Sequence, residues 1–300
     1  MSNPVSHING QRPDPSPGQQ SKGQALEHKA VPGVKHLIAV ASGKGGVGKS
    51  TTTTNLALAL AREGYRVGVL DADLYGPSQP RMLGLSGLPD TIDGKVLKPM
   101  IGHGIQTMSI GFLVDDESPI IWRGPMITQA LTRLVYETRW DNLDYLMVDM
   151  PPGTGDIHLT MAQKMPVSGA VIVTTPQDIA LLDARKGLKM FEKVNVPVLG
   201  IIENMSTHVC GQCGHEEHIF GEGGARKMAE EAGTELLGEL PLDIRIRTGS
   251  DSGDPIVKSD PDGALAQAYR DIATRILGEI DNLALKSGAS AQAMPTITME

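Results

Sequence analysis

The stretch ASGKGGVGKSTTTT, residues 41–54, limits what this chain can fold into more than any other. Its core, Gly43-Lys44-Gly45-Gly46-Val47-Gly48-Lys49-Ser50, matches the phosphate-binding pattern G-x-x-x-x-G-K-[ST] in full. An apolar run, HLIAVAS (36–42), reads as a strand leading into it. KSTTTTNLALALAREG (49–64) reads as a helix leading out, with Gly64 placed as its stop. Glycines let the backbone wrap a phosphate, whose charge the N-terminus of the following helix favours. In such a loop Lys49 would hold the outer phosphates of a nucleotide and the Ser50 hydroxyl would reach Mg²⁺, with Thr51 extending the cradle into the helix. A Gly-rich turn that happened to hold a lysine would need neither the full pattern nor this context.

The alternation continues along the chain. RVGVLDAD (66–73), YLMVDM (145–150), GAVIVTTP (169–176) and VPVLGIIENM (196–205) read as strands. Between and after them, GPMITQALTRLVYETRW (124–140), DIALLDARKGLKMFEKV (178–194) and DGALAQAYRDIATRILGEI (262–280) have helical spacing. Apolar strands separated by helices imply an α/β fold, a mainly parallel sheet with helices on both faces. Residues 1–34, rich in Pro, Gly, Gln and Ser, are expected to lack fixed structure; 35–283 form the P-loop domain and 284–300 a flexible tail.

Composition narrows the partners. The net charge of −8 without a basic run argues against nucleic acid, whose binding rests largely on phosphate neutralisation. No apolar run approaches a bilayer span, and the N-terminus has neither a basic flank nor a hydrophobic segment, so no membrane association is expected. With only 2 cysteines, the expected location is the cytoplasm.

Acidic residues fall at strand ends. VLDAD ends in Asp71 and Asp73, and LMVDMPPGTGD sets Asp149 after an apolar strand. In an open parallel sheet ligands gather at the C-terminal strand ends, so all three should face the P-loop crevice. A lone Asp there is often a turn or helix cap; three converging on a P-loop are a site. Asp149 is the natural carboxylate to support Mg²⁺, and Gly153 and Gly155 suit a loop that moves with the γ-phosphate.

SGKGGVGKST with its early lysine, DADLYGPS and VDMPPGTGD together resemble the deviant-P-loop ATPases, the group that includes MinD, ParA, nitrogenase iron protein and the Mrp-type iron–sulfur cluster carriers. The resemblance implies a homodimer in which Lys44 reaches across to the phosphates of the other chain's ATP, an added cation of the arginine-finger kind. It also implies that Asp73 positions the attacking water, that Asp71 and Asp149 organise Mg²⁺, and that Asn204 in IIENMS contacts adenine.

Both cysteines lie in ENMSTHVCGQCGHEEHIFGEGGA, as Cys210-x-x-Cys213 within a loop at 205–220. A redox pair would want a helix N-terminus after a strand. A zinc site with His215 and His218 would be much tighter than a usual finger. An inert pair of thiols is a further reading. A 4Fe–4S cluster usually takes four thiolates, so one chain would supply half and two chains would share it. DLYGPSQPRMLG, WRGPM, VDMPPGTGDIHLT, IENMS and CxxCGH resemble the Mrp-type carriers, over residues 35–280. That resemblance implies a bridging cluster on Cys210 and Cys213, passed to apo iron–sulfur proteins after loading from a donor. Slow ATP hydrolysis would act as a conformational switch. The competing expectation is a MinD- or ParA-like positioning ATPase in which the CxxC is a zinc clip or inert.

Overall fold

The computed structural model describes residues 29–113 and 124–292. The first half runs β1 (Val34–Ala41), α1 (Lys49–Arg62), β2 (Val67–Asp71), α2 (Gln79–Met82), β3 (Thr91–Ile92), β4 (Val96–Leu97), β5 (Met100–Gly102), β6 (Ile105–Ser109) and α3 (Gly124–Tyr136). The second half runs β7 (Leu143–Asp149), α4 (Asp156–Lys164), β8 (Gly169–Thr174), α5 (Asp178–Lys193), β9 (Val198–Asn204), β10 (His208–Val209) and β11 (Glu216–Glu217). It ends with α6 (Gly224–Ala232), β12 (Leu236–Leu240), α7 (Ile244–Ser252), α8 (Ile256–Ser259) and α9 (Ala264–Gln292).

Eight strands form one sheet in the order β12-β9-β8-β1-β7-β2-β6-β5. All pairings are parallel except β5 with β6, an antiparallel edge added by the tight turn at His103–Gly104. The central strands are apolar on both faces, as a covered parallel sheet requires. Along β1, Leu37, Ala39 and Ala41 face a core closed by α3, α4, α5 and α6. Ile38 and Val40 face the opposite core, closed by α1, α7, α8 and α9. Each fully buried Leu or Ile in these layers contributes about 1.5–3 kcal/mol.

Helix α1 is buried nearly all round because it lies between the sheet and α9. Its threonine run looks ill-suited to a helix, since β-branched side chains lose rotamer freedom there. Thr52 turns its hydroxyl back to the Gly48 carbonyl, while Thr53 and Thr54 each share one proton between the carbonyl four residues earlier and a side chain, Asp149 and Gln79 respectively.

The expected α/β architecture is therefore present, with two differences at its ends. Val31 is already packed in the core and the Tyr136 hydroxyl donates to the Lys29 carbonyl, so ordered contacts begin before residue 35. Residues 1–28 and 293–300 lie outside the described residues. At the other end α9 continues to Gln292, so residues 284–292 are helical where a flexible tail was expected. The helical spacing reads only to 280, and the polar KSGASAQ at 286–292, with Gly288 inside it, offers no apolar stripe to extend that reading.

Candidate functional site

The P-loop leaves the end of β1, the central strand at which the strand order reverses, where ligand crevices form in open α/β sheets. Its path is fixed by close backbone packing. A β-carbon on Gly43 would stand 2.1 Å from the Asp183 carbonyl carbon of α5. Gly48, at φ 84°, caps α1 in a left-handed conformation; a β-carbon there would stand 2.1 Å from Asn204 Nδ2. No side chain caps α1, so its first-turn NH groups remain available to an anion.

Three neighbouring strands bring the carboxylates to one level, for Asp149 on β7 pairs with Asp71 on β2 and Val40 on β1. Lys49 Nζ lies 2.5 Å from Asp149 Oδ1, with both side chains buried. The same Nζ donates to the Ser50 hydroxyl at 3.2 Å. Thr53 Oγ1 also donates to Asp149 Oδ1 at 3.3 Å. In this arrangement the P-loop lysine neutralises the Asp149 carboxylate, and a phosphate would have to draw it away.

Asp71 sits in the same crevice with four donors around it. Oδ1 accepts from the Asp73 NH, and Oδ2 accepts from the Ser78 and Gln79 NH groups and the Ser109 hydroxyl. Burial, then the Asp149 charge, pushes its carboxyl up to about 7, opposed by the Gln79 and Asp73 NH groups and by Lys49. Three of these four donors meet Oδ2, so Asp71 anchors the 73–79 turn through that oxygen, while Oδ1 takes a single NH. Asp73 is also buried, and burial raises its carboxyl above the usual range, while nearby Lys49 pulls it down. A raised carboxyl beside a phosphate site is equipped to orient a water and accept its proton.

Magnesium is ordinarily held by one or two carboxylates together with phosphate oxygens and water rather than by a protein cage. The residues fit that mode. Asp149 has one oxygen that a moving Lys49 would free, and Ser50 is adjacent. Among the described residues no three His, Cys, Asp or Glu side chains come together to hold a metal ion.

The loop after β7 is tied down twice. The Gly153 NH donates to the Ser42 carbonyl of the P-loop at 3.1 Å. Buried His158 of α4 hydrogen-bonds the Pro151 carbonyl through Nε2, and burial, chiefly, lowers its pKa. Lys44 is half-buried at the loop's start and makes no ion pair among the described residues. Asn204, at the end of β9, donates from Nδ2 to the Val47 carbonyl at 2.8 Å, so it braces the P-loop directly.

Six residues past Asn204 comes Cys210. The chain turns through Met205 at φ 58°, and Ser206 is held by the Leu240 carbonyl through both its NH and its hydroxyl. It then forms a short antiparallel ribbon, β10 with β11, whose tip carries the CxxC turn. The Cys210 NH donates to the His215 carbonyl and the Gly214 NH donates to the Cys210 carbonyl, both at 2.9 Å. The Cys213 NH, then the Gln212 NH, point at the Cys210 sulfur and hold its thiol below the usual range. Both cysteines are free, Cys210 half-buried and Cys213 exposed.

The nearby histidines face elsewhere. His208 Nδ1 meets the Leu242 carbonyl, His218 Nδ1 meets the Ser206 carbonyl, and His215 lies 3.6 Å from Glu217. A Cys₂His₂ site within one chain is not assembled among the described residues. Sequence reasoning missed Gln79, His158 and Glu203. All three are buried polar residues on or beside the site, and Glu203 Oε2 accepts from the Ala225 NH at the start of α6. In the sequence the only sign of them is a polar side chain in an otherwise apolar or glycine-rich setting.

Comparison with known proteins agrees with this geometry. A family model described as ParA, the NUBPL iron-transfer P-loop NTPases, matches residues 33–277. An iron–sulfur cluster carrier protein of Pseudomonas fragi is 58% identical over 254 residues, covering 82% of this chain and 88% of the relative. The iron–sulfur cluster transfer protein NUBPL of Mus musculus is 52% identical, covering 84% and 79%. Among solved structures, a nucleotide-binding protein in complex with ADP from Archaeoglobus fulgidus superposes with TM-score 0.66 at 40% identity, over 74% of this chain and 88% of that one. The cell division ATPase MinD of Pyrococcus furiosus shares the fold, with TM-score 0.59 at 23% identity over 81% and 98%. The WRGPM motif begins at Trp122 and so lies partly outside the described residues. The chain belongs to the NUBPL iron-transfer P-loop NTPases of the ParA family.

Proposed function

We propose that this protein is an ATP-dependent iron–sulfur cluster carrier that works as a homodimer in the cytoplasm. Cys210 and Cys213 of two chains would share one labile 4Fe–4S cluster, taken from a donor and passed to apo-proteins. The observation that carries this reading is the cysteine turn, which offers two thiols, one acidified by NH groups, on an exposed tip with no further metal ligand assembled around them among the described residues. Four thiolates are the ordinary complement of such a cluster, so a second chain supplies what one lacks.

Mg²⁺, when bound, would help neutralise the phosphate charge of ATP. Ser50 and Asp149 would hold it, and Asp71 would fix the turn that brings Asp73 to the attacking water. Lys49 exchanges Asp149 for the phosphates, and Lys44 reaches the partner's nucleotide. Asn204, at the P-loop, would also border adenine. Because Asn204 joins the P-loop to the strand from which the cysteine ribbon departs, nucleotide and cluster states would be linked by one hydrogen bond and a short run of chain. Binding free energies coupled in this way are reciprocal.

Anaerobic reconstitution tests the proposal, with iron per chain and solution mass measured for wild type and Cys210→Ala/Cys213→Ala. About two irons per chain in a dimer, with a broad band near about 400 nm that the double variant lacks, is the expected result. Tight zinc in a monomer, with no cluster in either protein, would favour the positioning ATPase with a zinc clip.

A further inference from the structure

Gln79 opens α2 and is completely buried, with its polar groups all in use. Its Nε2 donates to Asp149 Oδ2 at 2.9 Å and to the Ser50 carbonyl at 3.1 Å. Its Oε1 accepts from Thr54 Oγ1 at 2.6 Å, and its backbone NH reaches Asp71 Oδ2 at 3.0 Å. One side chain therefore joins the P-loop helix to the end of β7, while its main chain is pinned to the end of β2. The amide can sit only one way round, because the reverse would set its oxygen against a carboxylate and a carbonyl, both acceptors.

The chemistry of the donor matters. Lys49 holds the other Asp149 oxygen and cancels its charge; a neutral amide orients a carboxylate and leaves the charge in place. Once Lys49 turns to phosphate, Thr53 and Gln79 are the hydrogen-bond donors left on Asp149. We propose that Gln79 is a positioning residue for the magnesium–nucleotide site. It fixes Asp149 by Oδ2, leaves Oδ1 to face the metal, and holds the Ser50 turn in register with it. This inference rests on the magnesium–ATP reading above.

A fluorescent ATP analogue, titrated in excess EDTA and again with Mg²⁺, separates the possibilities. Gln79→Met keeps the length of the side chain and removes the amide. Its affinity in EDTA should stay within about twofold of wild type, while the tightening produced by Mg²⁺ should fall by about tenfold, the scale seen when partners that orient metal ligands are lost. Thr54→Val, which frees the amide without touching Asp149, should shift the same ratio in the same direction by less. It carries the test if Gln79→Met does not fold. Equal losses with and without Mg²⁺, or an unchanged response to Mg²⁺ in both variants, overturns the positioning role. Wild type that fails to bind the analogue under either condition overturns the nucleotide reading itself, and this proposal with it.

Discussion

Around the P-loop, Lys49, Asp71 and Asp149 are buried and each has at least two partners from its own chain. At the cysteine turn, Cys213 is exposed and the ribbon behind it pairs only two residues on each side. The first region is held in place by its own groups, and only Lys49 would have to exchange its Asp149 partner for a phosphate. The second is a pair of free thiols on a short ribbon, whose chemistry, on the proposed function, would be completed from outside the chain. The difference shows how labour is divided in a carrier. The part that reads the nucleotide must hold its geometry, and the part that exchanges a cluster must remain open to take it up and give it away.

Substitutions at six positions probe that contrast, beginning with the greatest effect. Lys44→Ala should lower ATP turnover by about 10³-fold or more, the scale on which a cation supplied in trans acts. Nucleotide affinity and cluster content should stay near wild type; an unchanged turnover number would show that Lys44 does not serve the partner's phosphates. Next, Lys49→Met strands a buried carboxylate and should cost about 3–5 kcal/mol in urea unfolding without nucleotide. Adding Asp149→Asn should return most of that stability without restoring hydrolysis.

The same glycine-to-alanine change then compares the regions directly. Gly43→Ala would drive a β-carbon into the α5 backbone, and a loss of about 3 kcal/mol together with nucleotide binding is expected. Gly214→Ala, at φ 71° with open space around it, should cost about 1–2 kcal/mol of backbone strain and spare nucleotide binding. Equal losses at both sites would mean that the ribbon is as tightly integrated as the P-loop.

The smallest effect is a pH dependence. His158 has a lowered folded-state pKa because it is buried, so the unfolded chain binds its proton first as pH falls. Its contribution to stability is complete above about 6.5 and is lost as pH drops from there toward the folded value. His158→Gln keeps an amide donor for the Pro151 carbonyl and should flatten this acid-side slope, read by denaturant midpoints between pH 7.5 and 5.5. A slope that survives the substitution would assign it to other groups.

Much of this was legible in the amino-acid order because it depends on local spacing. The phosphate loop, its flanking strand and helix, and the alternation of apolar strands with amphipathic helices all follow from short-range periodicity. So did the convergence of Asp71, Asp73 and Asp149, since parallel strands must end on the same edge. The antiparallel β5, the short α6 to α8 and the extension of α9 were not legible, because weak local patterns there are decided by what they pack against. Asp71 was read as an organiser of Mg²⁺ from its place at a strand end. Its four hydrogen-bond donors come from residues two to thirty-eight positions away, and only the folded chain brings them to it.

The sequence by itself determined the chemistry available: a lysine and hydroxyl for phosphate and metal, carboxylates at strand ends, and two thiols two residues apart. Only the tertiary structure decided which of those groups are committed within the chain and which are left for a ligand or a second copy. Gln79 is the clearest case. It is a polar residue of no evident role in the sequence, and parallel pairing of β2 with β7 beside α1 makes it the link between Asp149 and the P-loop. Contacts of that kind arise between segments far apart in the chain, so no local pattern records them, while burial makes each one costly to leave unmade.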